Sequence, residues 1–351
     1  MRKRPDGTTP DPGARRVTIE DVADAAGVSV ATVSRALRDL PNVAPSTRER
    51  VRTVADGLGY RAHPHASRLA AGRTMSIGMA VPLLGTWFHS QVIAGAEAVL
   101  TERGYDLLLG AFENEPRRQR LLSGDDFPAR VDGLIFVDLP ITDDEALELA
   151  ASGRHAVTIG CQTTAFPSVT IDNESGAAMA ARHLLHLGHR EIGLIWAPSE
   201  TSLPFDVPGL RRAGYHRALR EFGLHIRPER EVAGDFSIDG GAEAMSELLA
   251  AGSPPTGVFA ISDEMGFGAL RMARDLGLRV PEDISIVGFD DHEVSEVLGL
   301  TTMRQPVVEF GAIAARALIA RIEGRAEQAD HVVCPTRLVV RSTSARLDDL
   351  A

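Results

Sequence analysis

Residues 17–38 read Val-Thr-Ile-Glu-Asp-Val-Ala-Asp-Ala-Ala-Gly-Val-Ser-Val-Ala-Thr-Val-Ser-Arg-Ala-Leu-Arg. This stretch predicts two short helices joined at Gly27. Thr18-Ile-Glu-Asp21 has the spacing of a capping-box start. Gly27 breaks the first helix, and Ser29 can cap the second. A tight turn between helices, with small and hydroxyl side chains where the second begins, is how a helix-turn-helix enters a DNA major groove. Further along, Pro45 suits the first position of a third helix. Val51, Val54, Ala55 and Leu58 then recur at helical spacing until Gly59. The expected core of this all-α domain, over 17–62, is Ile19, Val22, Val28, Val33, Leu37, Val51, Val54 and Leu58.

The charge distribution agrees with a nucleic-acid partner. Residues 1–74 carry 13 Lys+Arg against 8 Asp+Glu, a net of +5, while the remainder carries 24 against 40, a net of −16. A basic head on an acidic body separates a DNA-binding module from something that avoids DNA. Residues 1–16 lack periodicity and read as a disordered basic arm. No apolar run of ~18 residues exists, and nothing apolar follows Arg2-Lys3-Arg4, so neither a membrane span nor a secretory signal is expected. Cys161 and Cys334 lack metal-ligand spacing and read as reduced thiols in a cytoplasm.

After residue 75 the pattern changes. Apolar runs at 77–81, 105–109, 134–137, 156–159, 192–196, 258–261 and 284–289 alternate with helical segments. Several of these helices end in glycine, at Gly104, Gly188, Gly223 and Gly277. This is the signature of parallel α/β sheets, with length enough for two. Ligands of such sheets sit beyond the carboxyl ends of the strands, so two sheets facing each other make a cleft.

Three enzyme-like patterns do not hold. Gly266-Phe-Gly268-Ala-Leu-Arg271 lacks the third glycine of a dinucleotide fingerprint and falls inside a helix. Gly27-Val-Ser29-Val-Ala31 lies between helices, where a nucleophile elbow would follow a strand. His183, His186 and His189 have no carboxylate or cysteine to complete a metal site, and they read as a solvent-facing helix end. No catalytic residue and no cofactor is expected. A solute-binding transport protein would need an export signal and no basic helix-turn-helix, the reverse of this chain.

The groove-facing candidates are Val30, Ala31, Ser34 and Arg35. Arg35 suits a bidentate bond to guanine O6 and N7, and Val30 and Ala31 suit a thymine methyl. Ser29, Thr32 and Thr47 suit phosphate oxygens. In the connector, Ala66 and Leu69 share one face of a short helix beside Arg68 and Arg73. Leu69 is placed to wedge into a minor groove, but a solvated linker fits the same residues.

These residues resemble the lactose/galactose repressor (LacI/GalR-type) family of bacterial transcription regulators over about residues 17–342. The resemblance rests on Val17–Arg38, Thr47-Arg-Glu-Arg-Val51 with Leu58-Gly-Tyr-Arg61, Val131-Asp-Gly-Leu-Ile135 and His183-Leu-Leu-His-Leu-Gly-His-Arg190. It continues with Val280-Pro-Glu-Asp-Ile-Ser-Ile-Val-Gly-Phe-Asp-Asp291 and Leu300-Thr-Thr-Met-Arg-Gln-Pro306. It implies a homodimer on a near-palindromic operator, cytoplasmic and nucleoid-associated. Further DNA contacts are implied at Thr18, Asn42, Tyr60 and His63, with a hinge helix over 63–74 carrying Leu69. The Val30-Ala31 pair is similar to the galactose-repressor branch and implies a related half-site.

The body, 75–345, is implied to be a periplasmic-binding-protein-like sensor of two parallel-sheet subdomains. The first takes about 75–174 and 303–325, the second about 175–302 and 326–345. The implied effector cleft is lined by Trp87, Phe88 and His89, with Arg211 as a clamp, Phe236 stacking on a ligand ring, and Ser262 and Asp290 binding polar groups. An arginine, an aspartate and several aromatics suit a small polyhydroxylated, sugar-like or related metabolite. The chain departs from the family pattern at Ser262, where an amide is usual, at Gly160, and in Pro82-Leu-Leu-Gly-Thr-Trp87 and Leu203-Pro-Phe-Asp-Val-Pro208. It departs also at His63, for a usual asparagine, and at Ala44, for a capping serine. The strand-like Leu338–Arg341 is followed by no heptad tail, which favours a dimer over a tail-built tetramer.

Overall fold

The computed structural model describes residues 17–60, 73–112, 115–123, 131–198, 207–325 and 330–347. The basic arm and the hinge candidates His63, Ala66 and Leu69 lie outside the described residues. Contacts divide the chain into two units, Met1–Thr74 and Met75–Ala351.

Local chemistry builds the first unit. Helix α1, Ile19–Ala26, opens on a reciprocal cap: the Thr18 hydroxyl accepts the Asp21 N–H, and the Asp21 carboxylate accepts the Thr18 N–H at 2.8 Å. Gly27, at φ 63°, ends it in the left-handed region that glycine enters at least cost. Ser29 caps α2, Val30–Leu37, by accepting the Thr32 N–H at 3.2 Å. Helix α3, Pro45–Gly57, has no side-chain cap at Ala44. Val22, Ala23, Ala26, Val33, Ala36, Val51 and Ala55 form the core, with Ile19, Val28, Leu37 and Val54 packed around it. Leu58, expected inside, is 41% exposed. The helix stops at Gly57, and residue 58 turns off the buried face that helical spacing assigned to it.

The second unit holds two six-stranded sheets. The first, in order β11-β5-β4-β3-β1-β2, is parallel throughout. Its strands are β1 Ser76–Val81, β2 Asp106–Ala111, β3 Gly133–Val137, β4 Ala156–Ile159, β5 Ser168–Ile171 and β11 His331–Cys334. One of its core clusters includes residues of α4, Trp87–Glu102, and α12, Val307–Ile322; another includes residues of α5, Glu115–Ser123, and α6, Asp143–Ala151. The second sheet runs β12-β10-β9-β8-β6-β7. It comprises β6 Ile192–Trp196, β7 Glu231–Ala233, β8 Gly257–Ala260, β9 Ser285–Asp290, β10 Thr301–Arg304 and β12 Arg337–Val339, the last antiparallel. The helix pairs α7, Asn173–His186, with α8, Val207–Glu221, and α9, Ile238–Ala250, with α10, Asp263–Asp275, pack on it.

The chain thus passes between the lobes three times, near 172, 305 and 335. The return to the second lobe comes later than the expected residue 326, because β11 pairs with β5 in the first sheet. The boundary expected at 303 cuts β10, which pairs with β9 and stays in the second sheet through Arg304. Both errors fall where the sheet that captures a short strand is decided by distant partners.

Glycines set the helix crossings. A Cβ on Gly311 would lie 1.9 Å from the Val92 carbonyl oxygen, and one on Gly95 would lie 1.9 Å from that of Val308, so α4 and α12 touch backbone to backbone. Gly268, from the rejected fingerprint, is another packing glycine: its Cβ would meet the Ile238 carbonyl oxygen at 2.0 Å.

No group of three or more metal-binding residues occurs among the described residues. Of the three histidines expected at a solvent-facing helix end, His186 is exposed but His183 is half-buried and His189 buried. His189 is fully buried, with Nδ1 3.0 Å from the Thr256 hydroxyl and Nε2 3.1 Å from the Ala345 carbonyl oxygen. His183 meets the Ser344 hydroxyl at 2.9 Å. The tail beyond β12 folds back over this end of α7. No helix among the described residues is long and apolar enough to cross a membrane.

Candidate functional site

In the first unit, the second helix keeps one face free of packing. Val30, Ala31 and Arg35 are exposed and Ser34 half-buried, while Val33 and Ala36 face the core. Val30, 41% exposed, is a branched apolar side chain at a helix start that lies outside the domain's core cluster. Thr18 and Ser29 are exposed but already engaged as caps, and Thr32 shares a 2.9 Å hydrogen bond with Ser29. Asn42 is exposed at φ 69°, Thr47 is half-buried on α3, and Tyr60 packs against the core. The loop between α2 and α3 is held by Arg48, which donates to the Leu40 carbonyl oxygen at 2.9 Å, and by Arg52, which donates to Asp39 at 2.7 Å. Arg35 makes no hydrogen bond or ion pair among the described residues.

In the second unit, a cavity of about 450 Å³ opens between the lobes. Its wall is assembled from residues at or just past the carboxyl ends of the strands. Phe112 follows β2, Asp138 follows β3, Asn173 follows β5, Ser262 follows β8, Asp290 ends β9 and Gln305 follows β10. This is where a parallel sheet leaves side chains and backbone dipoles uncovered.

Arg211 is the most constrained of the lining groups. Its Nε donates to Asn173 Oδ1 at 2.9 Å and its Nη1 to the Ile261 carbonyl oxygen at 2.6 Å. The guanidinium carbon sits 3.7 Å from the Phe289 ring centre, and Nη1 lies 3.7 Å from Asp290 Oδ1. Gln305 donates to Asp290 at 2.7 Å. Burial raises the Asp290 carboxyl well above the usual range, against the pull of Arg211. Burial also raises Asp263, although Ser295, Thr302 and the His292 N–H all donate to it. Ser262 lines the cavity while capping α10 through the Met265 N–H at 3.3 Å.

On the first lobe, His89 is held between the Thr86 hydroxyl at 2.6 Å and Asp138 at 3.3 Å. Phe88 lines the cavity beside Phe310, with ring centres 6.3 Å apart. Phe236, at φ 58° and 37% exposed, lines it from the second lobe.

The structure therefore brings together Phe88, His89, Arg211, Phe236, Ser262 and Asp290. It does not bring Trp87, which was expected in the same wall. Trp87 lies outside the cavity and reaches across the cleft to His292 and Glu293 of the second lobe. Sequence reasoning missed Glu115, Arg118, Asp138, Asn173, Asp235, Glu264 and Gln305, all of which line the cavity. Asp138, Asn173 and Gln305 stand one to two residues past strands, so strand ends were the available signal.

Comparison with known proteins agrees with both units. The family described as bacterial regulatory proteins, lacI family, matches residues 18–63, and the periplasmic binding protein-like domain matches residues 181–344. Catabolite control protein A of Priestia megaterium is 34% identical over 332 residues, covering 93% of this chain and 99% of that protein. Among solved structures, the Lac repressor dimer bound to operator and the anti-inducer ONPF aligns with a TM-score of 0.80 at 30% identity, over 94% of this chain and all of that one. The transcriptional regulator CelR–cellobiose complex aligns with a TM-score of 0.67 at 32% identity, over 93% of this chain and all of that one. With both units matched in order and the identity sustained over nearly the whole length, the chain belongs to the lacI family of bacterial regulatory proteins and is a helix-turn-helix transcriptional regulator.

Proposed function

We propose that the protein is a cytoplasmic, nucleoid-associated repressor that binds a near-palindromic operator as a homodimer. Its operator affinity is set by a small sugar-like or related metabolite in the interlobe cavity. One observation carries this reading. A single chain holds a recognition helix with Val30, Ala31 and Arg35 uncovered and a two-lobed cavity lined by Arg211, Asp290 and aromatic rings. The Lac repressor dimer seen on operator and the cellobiose seen in CelR support the same assignment.

The physical link is differential binding. A metabolite changes operator affinity only by as much as it prefers one lobe arrangement over another; coupling of about 1–3 kcal/mol gives roughly 5–150-fold. The proposed DNA contacts are Ser29, Thr32 and Thr47 to phosphates and Val30, Ala31, Ser34 and Arg35 to bases, with Leu69 at the minor groove. The test is selection of bound duplexes from a random pool by the purified full chain, repeated with hydroxylated metabolites. A salt-sensitive preference for one palindrome, altered by one metabolite, is the expected result. The absence of any such preference, with and without metabolites, overturns the reading.

A further inference from the structure

We propose that the interlobe cavity takes an unphosphorylated, uncharged ligand and excludes its phosphate esters. The inference rests on the cavity being the effector site, as proposed above, and narrows what that site accepts.

Among the described residues two guanidinium groups line the cavity, and most of their N–H donors are committed to the protein. Arg118 spends all three nitrogens on the protein: Nε and Nη2 donate to the Pro140 carbonyl oxygen, Nη2 also to Glu145, and Nη1 to Glu115. Arg211 spends Nε and Nη1 on Asn173 and Ile261 and faces Asp290. Against them stand the carboxyl groups of Glu115, Asp138, Asp235, Glu264 and Asp290. With Asp290 protonated and Glu115 spent on Arg118, the carboxyl groups of Asp138, Asp235 and Glu264 remain, the last raised by burial. Glu264 is half-buried and its carboxylate makes no hydrogen bond among the described residues. An anion brought beside it meets repulsion, and the imidazole on the same wall, His89, is already engaged by Thr86 and Asp138.

The other usual phosphate receptor is the free N–H group at a helix start. Here three of the helix starts on the wall each have one such group capped from within the protein. Thr86 accepts the His89 N–H at the start of α4, Asp172 the Ser175 N–H at the start of α7, and Ser262 the Met265 N–H at the start of α10. Asp290 itself accepts the Asp263 N–H. What the cavity does offer is an apolar wall of Phe88, Phe112, Phe236 and Phe310 for the face of a ring, and fixed acceptors for hydroxyl or amide hydrogens.

The test uses matched pairs on the full chain: ribose and ribose 5-phosphate, glucose and glucose 6-phosphate, adenosine and its 5′-monophosphate. Affinities come from calorimetric titration, with thermal shifts alongside. For every parent that binds, the ester is expected to bind at least ~10-fold more weakly, or about 1.4 kcal/mol. Glu264→Gln is expected to narrow that gap, read as the ratio of ester to parent affinity within the same variant. Asp235→Asn, at a separate wall position, repeats the test should the first variant melt early. An ester that binds as well as its parent, or a gap that neither variant narrows, overturns this inference and leaves the effector site standing. If no member of any pair binds, the sugar-like effector reading falls, and this inference with it.

Discussion

Trp87 and His292 stack across the mouth of the cleft, with ring centres 4.7 Å apart and planes inclined by 27°. Trp87 opens α4 in the first lobe. His292 caps α11, Glu293–Leu298, in the second. The Trp87 indole N–H also donates to Glu293, and the His292 ring stands edge-on to Phe267 at 5.3 Å. These contacts exist only while the lobes are together, so they favour the closed arrangement without touching what the cavity holds.

Trp87→Ala is therefore expected to weaken ligand binding roughly fivefold, about 1 kcal/mol for the lost ring pair and the solvent-exposed hydrogen bond. The ligand-free protein should expand at the same time. Calorimetry and small-angle scattering on one preparation read both effects. Unchanged affinity with an unchanged radius of gyration would show that the rim contact plays no part in closure.

Gly311→Ala is expected to cost about 2–4 kcal/mol, because its methyl has to displace the α4 backbone at Val92, and backbone in a packed sheet layer yields poorly. Urea titration should give a lower midpoint. Gly324→Ala, where a Cβ meets nothing within 4 Å although φ is 69°, is the control and is expected to cost less.

The head was legible because its determinants are local: Thr18 with Asp21, Gly27, and Ser29 with Thr32 lie within four residues of each other. Lobe architecture was legible from alternating strands and helices. Short strands were not: β11 is exposed along most of its length, so hydrophobic patterning is weak there, and its sheet is chosen by β5, 163 residues earlier in the chain. The cavity wall was foreseen at Phe88, His89, Arg211, Phe236, Ser262 and Asp290, which the family resemblance supplied, but not at Trp87, which lies outside it. Arg118 and Glu264 sit in helices and reach the cavity only through tertiary packing. His189 was misread because the residues that bury it, Ser285 and Ala345, come from far along the chain.

His189 also makes a pH prediction. Burial holds its imidazole below the ordinary range. Nε2 carries the proton, since it faces the Ala345 carbonyl oxygen, and Nδ1 accepts from Thr256. Between the lowered folded value and ~6.5 the unfolded chain binds a proton that the native state refuses. Stability therefore falls as pH drops through that window, by up to about 1.4 kcal/mol per pH unit for one such group. Burial shifts His183 the same way. Asp290 and Asp263, held high, act in the opposite sense because the native state binds their protons more readily. The difference between wild type and His189→Gln isolates the histidine. The variant is expected to be less stable at pH 7 and to show a flatter stability curve between pH 6.5 and 5 in denaturant titrations. Parallel curves would remove His189 from the acid response.

Arg35 separates two ways of holding DNA. It is exposed in the last turn of α2 and unengaged among the described residues, whereas Arg48 and Arg52 are committed to the loop that follows. If Arg35 reads a guanine, Arg35→Ala should cost about 1–3 kcal/mol on the selected operator and erase the preference at one base pair per half-site. Arg35→Lys should recover the charge without the fork, restoring the salt dependence and only part of the preference. If it holds a phosphate, both variants keep the same sequence ranking. In that case Arg35→Ala weakens all duplexes alike, with the salt slope lower by about one ion. Binding measured at several salt concentrations, on the operator and on single-base variants, distinguishes the two. The exposed Val30 and Ala31 beside Arg35 favour base reading, because apolar side chains gain nothing from a phosphate and gain contact from a thymine methyl.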